Sequence, residues 1–124
     1  GGVVAETARA DDTAFVGYNA RVLGNARISD YARLFGNTQV SGNARVSGNA
    51  WVSDYAQVYG DTHVSGAAWV SGTAHISDNA EVFGEAQVLG AARVYGGAWV
   101  FGNTRVSGTA EICEGARVSE GVYV

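Results

Sequence analysis

Hydrophobic and variable positions alternate along the chain in units of six residues, which follow one another from Ala8 to Gly121 without an insertion. In these nineteen hexads the first residue is Ala or Thr, and the third is Val, Ile or Leu everywhere except at Ala10. The second and fourth residues vary, as in the typical unit Ala44-Arg45-Val46-Ser47-Gly48-Asn49. A small inward residue and an aliphatic inward residue separated by variable ones predict a short strand in each hexad.

The last two positions of each hexad predict a turn. The fifth residue is Gly in twelve hexads and Asp in four, and the sixth is often Asn. These residue types tolerate a positive φ at low cost. Apolar residues spaced six apart would spiral around a helix, and strands this short cannot stand alone as a hairpin meander. The pattern therefore predicts a solenoid in which each hexad is one side of a coil and successive coils pair in parallel.

Runs such as Gly42–Ala50 carry a family resemblance. They resemble the hexapeptide repeats of left-handed parallel β-helix proteins, and the resemblance covers residues 8–121. It implies an all-β chain with three hexads in each triangular coil of eighteen residues, about six coils and left-handed winding. The residue pattern within these repeats is most similar to that of uncharacterised bacterial and phage repeat proteins. Many family members place Gly directly after the aliphatic residue, where this chain has Ser, Tyr, Phe or Leu, and a right-handed polymerising solenoid like that of bactofilins is the alternative.

The interruption of the pattern at both ends predicts three segments. Residues 1–7 form a lead-in, residues 8–121 form the β-helix, and residues 122–124 are a truncated or uncapped end. The last segment, Val122-Tyr123-Val124, stops in mid-hexad without a polar cap. A solenoid exposes a strand edge and an open core at each end. We therefore expect that the natural chain continues beyond Val124 or that this end pairs with another molecule.

Residues eighteen apart should stack in ladders along the solenoid. Trp51 and Trp69 are then neighbours on one face, and Phe83, Trp99 and Phe101 form a cluster on another. Such rings could stabilise their own sheet, form an interface, or stack against a glycan. The interface hypothesis has eight candidate residues: Trp51, Trp69, Phe83, Trp99, Phe101, Val122, Tyr123 and Val124. Its partners would be a second copy of the chain or the parent protein. No face repeats the Thr-x-Thr motif of ice-binding solenoids.

Composition and charge exclude several classes. Hydrophobic residues make up 47% of the 124 residues, enough for a packed core. All eight basic residues are Arg, and twelve acidic residues give a net charge of −4, which argues against binding a nucleic-acid backbone. No apolar run reaches the length of a membrane span. A single cysteine, Cys113, excludes an internal disulfide.

Enzymatic readings find little support in the residues. The resemblance implies a possible acyltransferase that uses acyl-CoA, with a catalytic His beside a loop leaving the helix, but no hexad here is interrupted. His63 and His75 are twelve apart, which predicts different faces, and a γ-class carbonic anhydrase would need three metal-binding His. The acidic residues Asp30, Asp54 and Asp78 read as turn residues. We therefore predict no catalytic, cofactor or metal site.

The function most consistent with these patterns is a non-catalytic structural module, either a rigid scaffold or a self-assembly element. An acyltransferase-like domain is the first alternative. A carbohydrate-binding or adhesin-like surface module is the second. An interrupted hexad would have favoured the first alternative, and Trp51 and Trp69 are what favours the second.

Overall fold

A computed structural model describes residues 2–119, which form twenty strands of two residues each, joined by turns. Each strand from β2 onward consists of the second and third residues of a hexad, where an outward side chain precedes an inward one. The strands are β1 (Val3–Val4), β2 (Arg9–Ala10), β3 (Phe15–Val16), β4 (Arg21–Val22), β5 (Arg27–Ile28), β6 (Arg33–Leu34), β7 (Gln39–Val40), β8 (Arg45–Val46), β9 (Trp51–Val52), β10 (Gln57–Val58), β11 (His63–Val64), β12 (Trp69–Val70), β13 (His75–Ile76), β14 (Glu81–Val82), β15 (Gln87–Val88), β16 (Arg93–Val94), β17 (Trp99–Val100), β18 (Arg105–Val106), β19 (Glu111–Ile112) and β20 (Arg117–Val118).

These strands build three parallel sheets, one on each side of the coil. The first sheet runs β1-β4-β7-β10-β13-β16-β19, the second β2-β5-β8-β11-β14-β17-β20, and the third β3-β6-β9-β12-β15-β18. In the second sheet Val64 pairs with Val46 on one side and Val82 on the other, a register of eighteen residues. The predicted all-β solenoid of about six coils, with three hexads in each coil, is therefore confirmed.

The first strand lies within the segment expected to be a lead-in. Val3 and Val4 pair in parallel with Arg21 and Val22, so Val3–Val4 is an outer strand of the first sheet. A bulky apolar pair satisfies the strand pattern even outside the run of regular hexads. At the other end, the segment Val122-Tyr123-Val124 lies outside the residues that the structure describes.

The interior consists of the inward residues of the hexads. Val46, Val64 and Val82 are fully buried, as are the Ala residues that begin most of the hexads around them. Complete burial of a Val stabilises the fold by about 1.5–3 kcal/mol. Alanine alternates with the larger residue because side chains from three sheets meet in a narrow triangular space. The core is thus one continuous apolar column along the solenoid axis.

The backbone conformation of the turns between strands explains why the fifth residue of most hexads is Gly or Asp. Gly72 has a φ of 68° and Asp54 a φ of 63°, both in the left-handed region. The Asp54 carboxylate accepts a hydrogen bond from the Gly72 N–H of the next coil at 3.1 Å. This bond helps to offset the cost of a left-handed residue that has a side chain. Asp30 and Asp78 make the same bond to the next coil, so the three residues act as turn residues.

Three hexads begin with Thr instead of Ala, and their hydroxyls differ. Thr104 donates a hydrogen bond from Oγ1 to the Phe101 carbonyl at 2.6 Å, whereas the buried Thr38 and Thr62 hydroxyls have no partner within residues 2–119. A buried hydroxyl without a partner is costly. We expect Thr62→Val, which keeps the side-chain shape, to raise the free energy of unfolding by about 1 kcal/mol. Thr104→Val is the matched control and should be neutral or destabilising in urea unfolding. Equal effects of the two changes would contradict this account.

Candidate functional site

The outward residues of the third sheet form a continuous row of rings, here called the aromatic ladder (Phe15, Phe35, Trp51 and Trp69). The ring centroids of Phe15 and Phe35 are 5.4 Å apart, and those of Phe35 and Trp51 are also 5.4 Å apart. Trp51 and Trp69 pair directly across β9 and β12 and stack with centroids 5.1 Å apart and planes within 3°. The parallel register brings the two Trp residues together because they occupy the same hexad position one coil apart.

Much of this ladder remains accessible. Phe15 is 49% exposed and Trp69 is 44% exposed, while Phe35 and Trp51 are half-buried by their neighbours. Beside the two Trp rings lies a shallow groove of about 480 Å³. The Arg33 guanidinium carbon is 5.8 Å from the Trp51 ring centroid, within the range of a cation–π contact. The surface is therefore apolar at its centre and charged at its rim.

A second group of rings, here called the aromatic cluster (Phe83, Trp99 and Phe101), lies on the second sheet. Phe83 and Phe101 stack with centroids 5.0 Å apart, and Trp99 packs against both rings edge-on. The Arg117 guanidinium carbon is 4.6 Å from the Trp99 ring centroid. All three rings are half-buried, so this cluster is more compact and less accessible than the exposed ends of the aromatic ladder.

The first sheet carries a polar contact near its C-terminal end. The Tyr95 hydroxyl donates a hydrogen bond to the Glu111 carboxylate at 2.9 Å. Hydrogen bonding with Cys113, and then with Glu111, raises the pKa of the Tyr95 hydroxyl well above its usual value. The phenol therefore stays protonated, which suits a hydrogen-bond donor on the surface more than a catalytic base.

The candidate residues separate onto different sheets. Trp51 and Trp69 lie together on the third sheet, and the aromatic cluster lies on the second. His63 lies on the second sheet and His75 on the first, as their spacing predicted. Within residues 2–119 no group of three or more His, Cys, Asp or Glu side chains is placed to hold a metal ion. The candidates Val122, Tyr123 and Val124 lie outside the described residues.

Two members of the aromatic ladder were not among the predicted candidates. Phe35 occupies the fourth position of its hexad and reaches Trp51, which occupies the second position one coil later. Phe15 then extends the row by a further coil. A sequence search for aromatic residues eighteen apart finds only residues at the same hexad position in successive coils. A search at a spacing of sixteen, which joins the fourth position to the second in the next coil, would have found Phe35 as well.

Similarity to known proteins supports the architecture. Residues 2–119 contain no helix with the length and apolarity needed to cross a membrane. Residues 39–54 match the model of a family described as YdcK Beta solenoid repeat. No curated protein and no solved structure matched the chain. The match covers one short stretch, which contains β7, β8 and β9, one strand from each of the three parallel sheets. The chain is a repeat protein of the parallel β-solenoid type.

Proposed function

We propose that this chain is a non-catalytic structural and interaction module, a rigid β-solenoid that docks onto a second copy of itself through the aromatic ladder. The observation that carries the proposal is the unbroken row of four rings across successive coils of the third sheet. Contiguous exposed apolar patches usually mark contact surfaces, and Trp is enriched among the residues that dominate binding energy. The parallel backbone ladder beneath holds these rings in fixed register.

The charges at the two ends of the Trp pair favour a second copy as the partner. Arg33 precedes Trp51 by one coil on the same column. Gln87 follows Trp69 in the same column, and Glu85, two residues earlier, lines a groove beside Trp69. A two-fold axis between Trp51 and Trp69 would bring Arg33 of each copy toward Glu85 of the other, since an isologous interface exchanges the two ends of the patch. Opposite charges at the rim would then set the antiparallel orientation.

A scaffold role agrees with the regularity of the chain. Hexads follow each other without insertion through residue 119, and the turns between strands are short. Five grooves along the described surface, of about 290–480 Å³, are partly open to solvent, whereas enzymes usually hold substrates in more enclosed pockets. The stack of Trp51 on Trp69 also covers one face of each ring, which leaves less ring surface for a sugar. These features favour a docking surface at the aromatic ladder over the acyltransferase-like alternative and over glycan binding by Trp51 and Trp69.

Concentration-dependent light scattering tests the proposal. The native chain should pass from monomer to dimer as concentration rises, and Trp51→Gln with Trp69→Gln should remain monomeric at concentrations at least about tenfold higher. Gln is suitable because Gln39, Gln57 and Gln87 occupy the same hexad position. Trp99→Gln, on the second sheet, is the matched control and should dimerise like the native chain. A native chain that is monomeric throughout would contradict the proposal, and a trimer insensitive to both changes would favour the acyltransferase-like arrangement.

Charge reversal tests the orientation of the two copies. Arg33→Glu should weaken the dimer, because it places a second carboxylate opposite Glu85 of the other copy. Adding Glu85→Arg should restore dimerisation by re-forming the pair in reverse. If the double variant associates no better than Arg33→Glu alone, the antiparallel arrangement is wrong, even if the aromatic ladder is the contact surface.

A further inference from the structure

The N-terminal half of the second sheet carries four nitrogen-bearing side chains in one outward column, here called the basic column (Arg9, Arg27, Arg45 and His63). Arg9 pairs with Arg27, Arg27 with Arg45, and Arg45 with His63, so the four stand directly above one another in successive coils. All four are exposed. Three of the eight Arg residues of an acidic chain are thus concentrated in one line.

This arrangement opposes the stability of the free chain. Like charges directly opposite each other on neighbouring strands are destabilising. Within residues 2–119 no carboxylate forms an ion pair with the guanidinium groups of Arg9, Arg27 or Arg45. Asp11, which lines the same groove, accepts a hydrogen bond from the backbone N–H of Asp30 at 3.1 Å. An anion bound along the column would relieve the repulsion, because it would be shared by neighbouring guanidinium groups.

A second column of donors runs beside the first. Ser29, Ser47 and Ser65 occupy the fourth position of the same hexads and are half-buried, with hydroxyls that can donate or accept. The basic column, Ser29 and Ser47 line one open groove of about 420 Å³ together with Asp11. The groove therefore offers three guanidinium groups and the His63 imidazole on one side, and the Ser29 and Ser47 hydroxyls on the other, with the Asp11 carboxylate at the N-terminal end of the second column.

We propose that this groove binds a linear acidic polysaccharide whose carboxylates are shared among the guanidinium groups of neighbouring coils. Paired strands are about 4.8 Å apart, and a sugar unit in an extended chain has a similar length. A polyuronate would therefore advance by about one coil for each sugar. Because successive sugars are rotated about the chain axis, its carboxylates face the basic column at intervals longer than one coil, and the hydroxyl groups between them reach the Ser column. Guanidinium groups bind carboxylates through paired hydrogen bonds.

A single-stranded nucleic acid fits the groove less well. Proteins that bind such strands combine positive charge with aromatic side chains on which the bases stack. No ring other than the His63 imidazole stands in either column between Arg9 and Ser65; the first aromatic residue beyond them is Phe83, one coil past His63 and beside Glu81. Glu81 ends the basic column and would repel any polyanion that extended further. The site is thus about four coils long.

Calorimetric titration with polygalacturonate tests the proposal. The native chain should bind the polymer with an affinity that falls as salt rises, and monomeric galacturonate should bind far more weakly. Arg27→Gln with Arg45→Gln should lower the affinity for the polymer at least about tenfold. The control is Arg21→Gln with Arg93→Gln on the first sheet, which removes the same charge and should retain most of the binding. Equal losses from the two double variants would mean unspecific attraction and overturn the proposal.

Two further measurements distinguish loss of binding from unfolding, and an acidic sugar from a nucleic acid. Arg27→Gln with Arg45→Gln should raise the thermal midpoint of the free chain slightly, because like charges are removed, so a loss of binding cannot come from unfolding. An oligothymidylate of matched charge should bind more weakly than polygalacturonate. Equal or tighter binding of the oligothymidylate through the same Arg residues would overturn the assignment to an acidic sugar.

Discussion

Val64→Asp is expected to be largely unfolded at room temperature and to show no cooperative thermal unfolding transition. Val64 is fully buried in the second sheet between Val46 and Val82. A carboxylate at this position would face an apolar column without a hydrogen-bond partner, at a cost of several kcal/mol. Small domains are stable by only about 5–15 kcal/mol in total. Each coil of a solenoid contacts only its neighbours, so disruption in the middle separates the stack into two short halves.

Thermal unfolding of Val64→Asp and of its control, His63→Asp, followed by circular dichroism, tests this expectation. His63 is the exposed residue of the same strand, so the two variants introduce the same side chain one residue apart on opposite faces. We expect His63→Asp to change the free energy of unfolding by less than about 0.5 kcal/mol. A folded Val64→Asp chain with a nearly native midpoint would show that the interior at this coil is hydrated.

Gly72→Val should lower the free energy of unfolding by about 2–4 kcal/mol. Gly72 has a φ of 68°, a conformation that a β-branched residue rarely adopts. A Cβ at this position would also lie 2.6 Å from the Gly90 carbonyl oxygen of the next coil, closer than any ordinary contact. The backbone there cannot retreat without lengthening the hydrogen bonds that join the coils, such as the 2.8 Å bond from the Thr73 N–H to the same carbonyl.

Gly97→Val is the matched control for this substitution. Gly97 also lies in a turn, but a Cβ added to it would meet no atom within 4 Å. Urea unfolding of the two variants should therefore differ by most of the predicted effect. Gly97 also lacks the positive φ of Gly72, so equal destabilisation by Gly97→Val and Gly72→Val would indicate a general cost of Val in a turn, and not the left-handed conformation or the close approach of successive coils.

The pattern of residues predicted the coil but not every contact on its surface. The spacing of Val46, Val64 and Val82 was enough to predict which residues pair, because parallel coils of equal length repeat the same register. The same spacing predicted the Trp51–Trp69 pair. It did not predict the contribution of Phe35, since that contact crosses diagonally between two outward columns and depends on the ring orientations.

The basic column is a second case in which the sequence predicted part of a surface and the structure added the rest. A spacing of eighteen residues places Arg27, Arg45 and Arg117 in one column with Glu81 between them, and such an interrupted column is a weak sequence signal for an anion site. The same spacing also placed His63 and the Ser residues on this face, and the structure adds Arg9 at the N-terminal end and the groove that these side chains line. A run of neighbouring coils is thus basic before the interruption. Arg117 lies past the acidic residue and contacts Trp99 instead.

The sequence by itself determined the architecture, because a strict six-residue repeat of small, aliphatic and turn residues is compatible with few ways of burying its apolar side chains. Tertiary structure decided what each surface presents. The outward residues have no periodic constraint, so their chemistry emerges only when three parallel sheets stack them in columns. Ring stacking, the unpartnered Thr62 hydroxyl and the close approach at Gly72 all arise where coils stack on one another, and each depends on atoms that are distant along the chain.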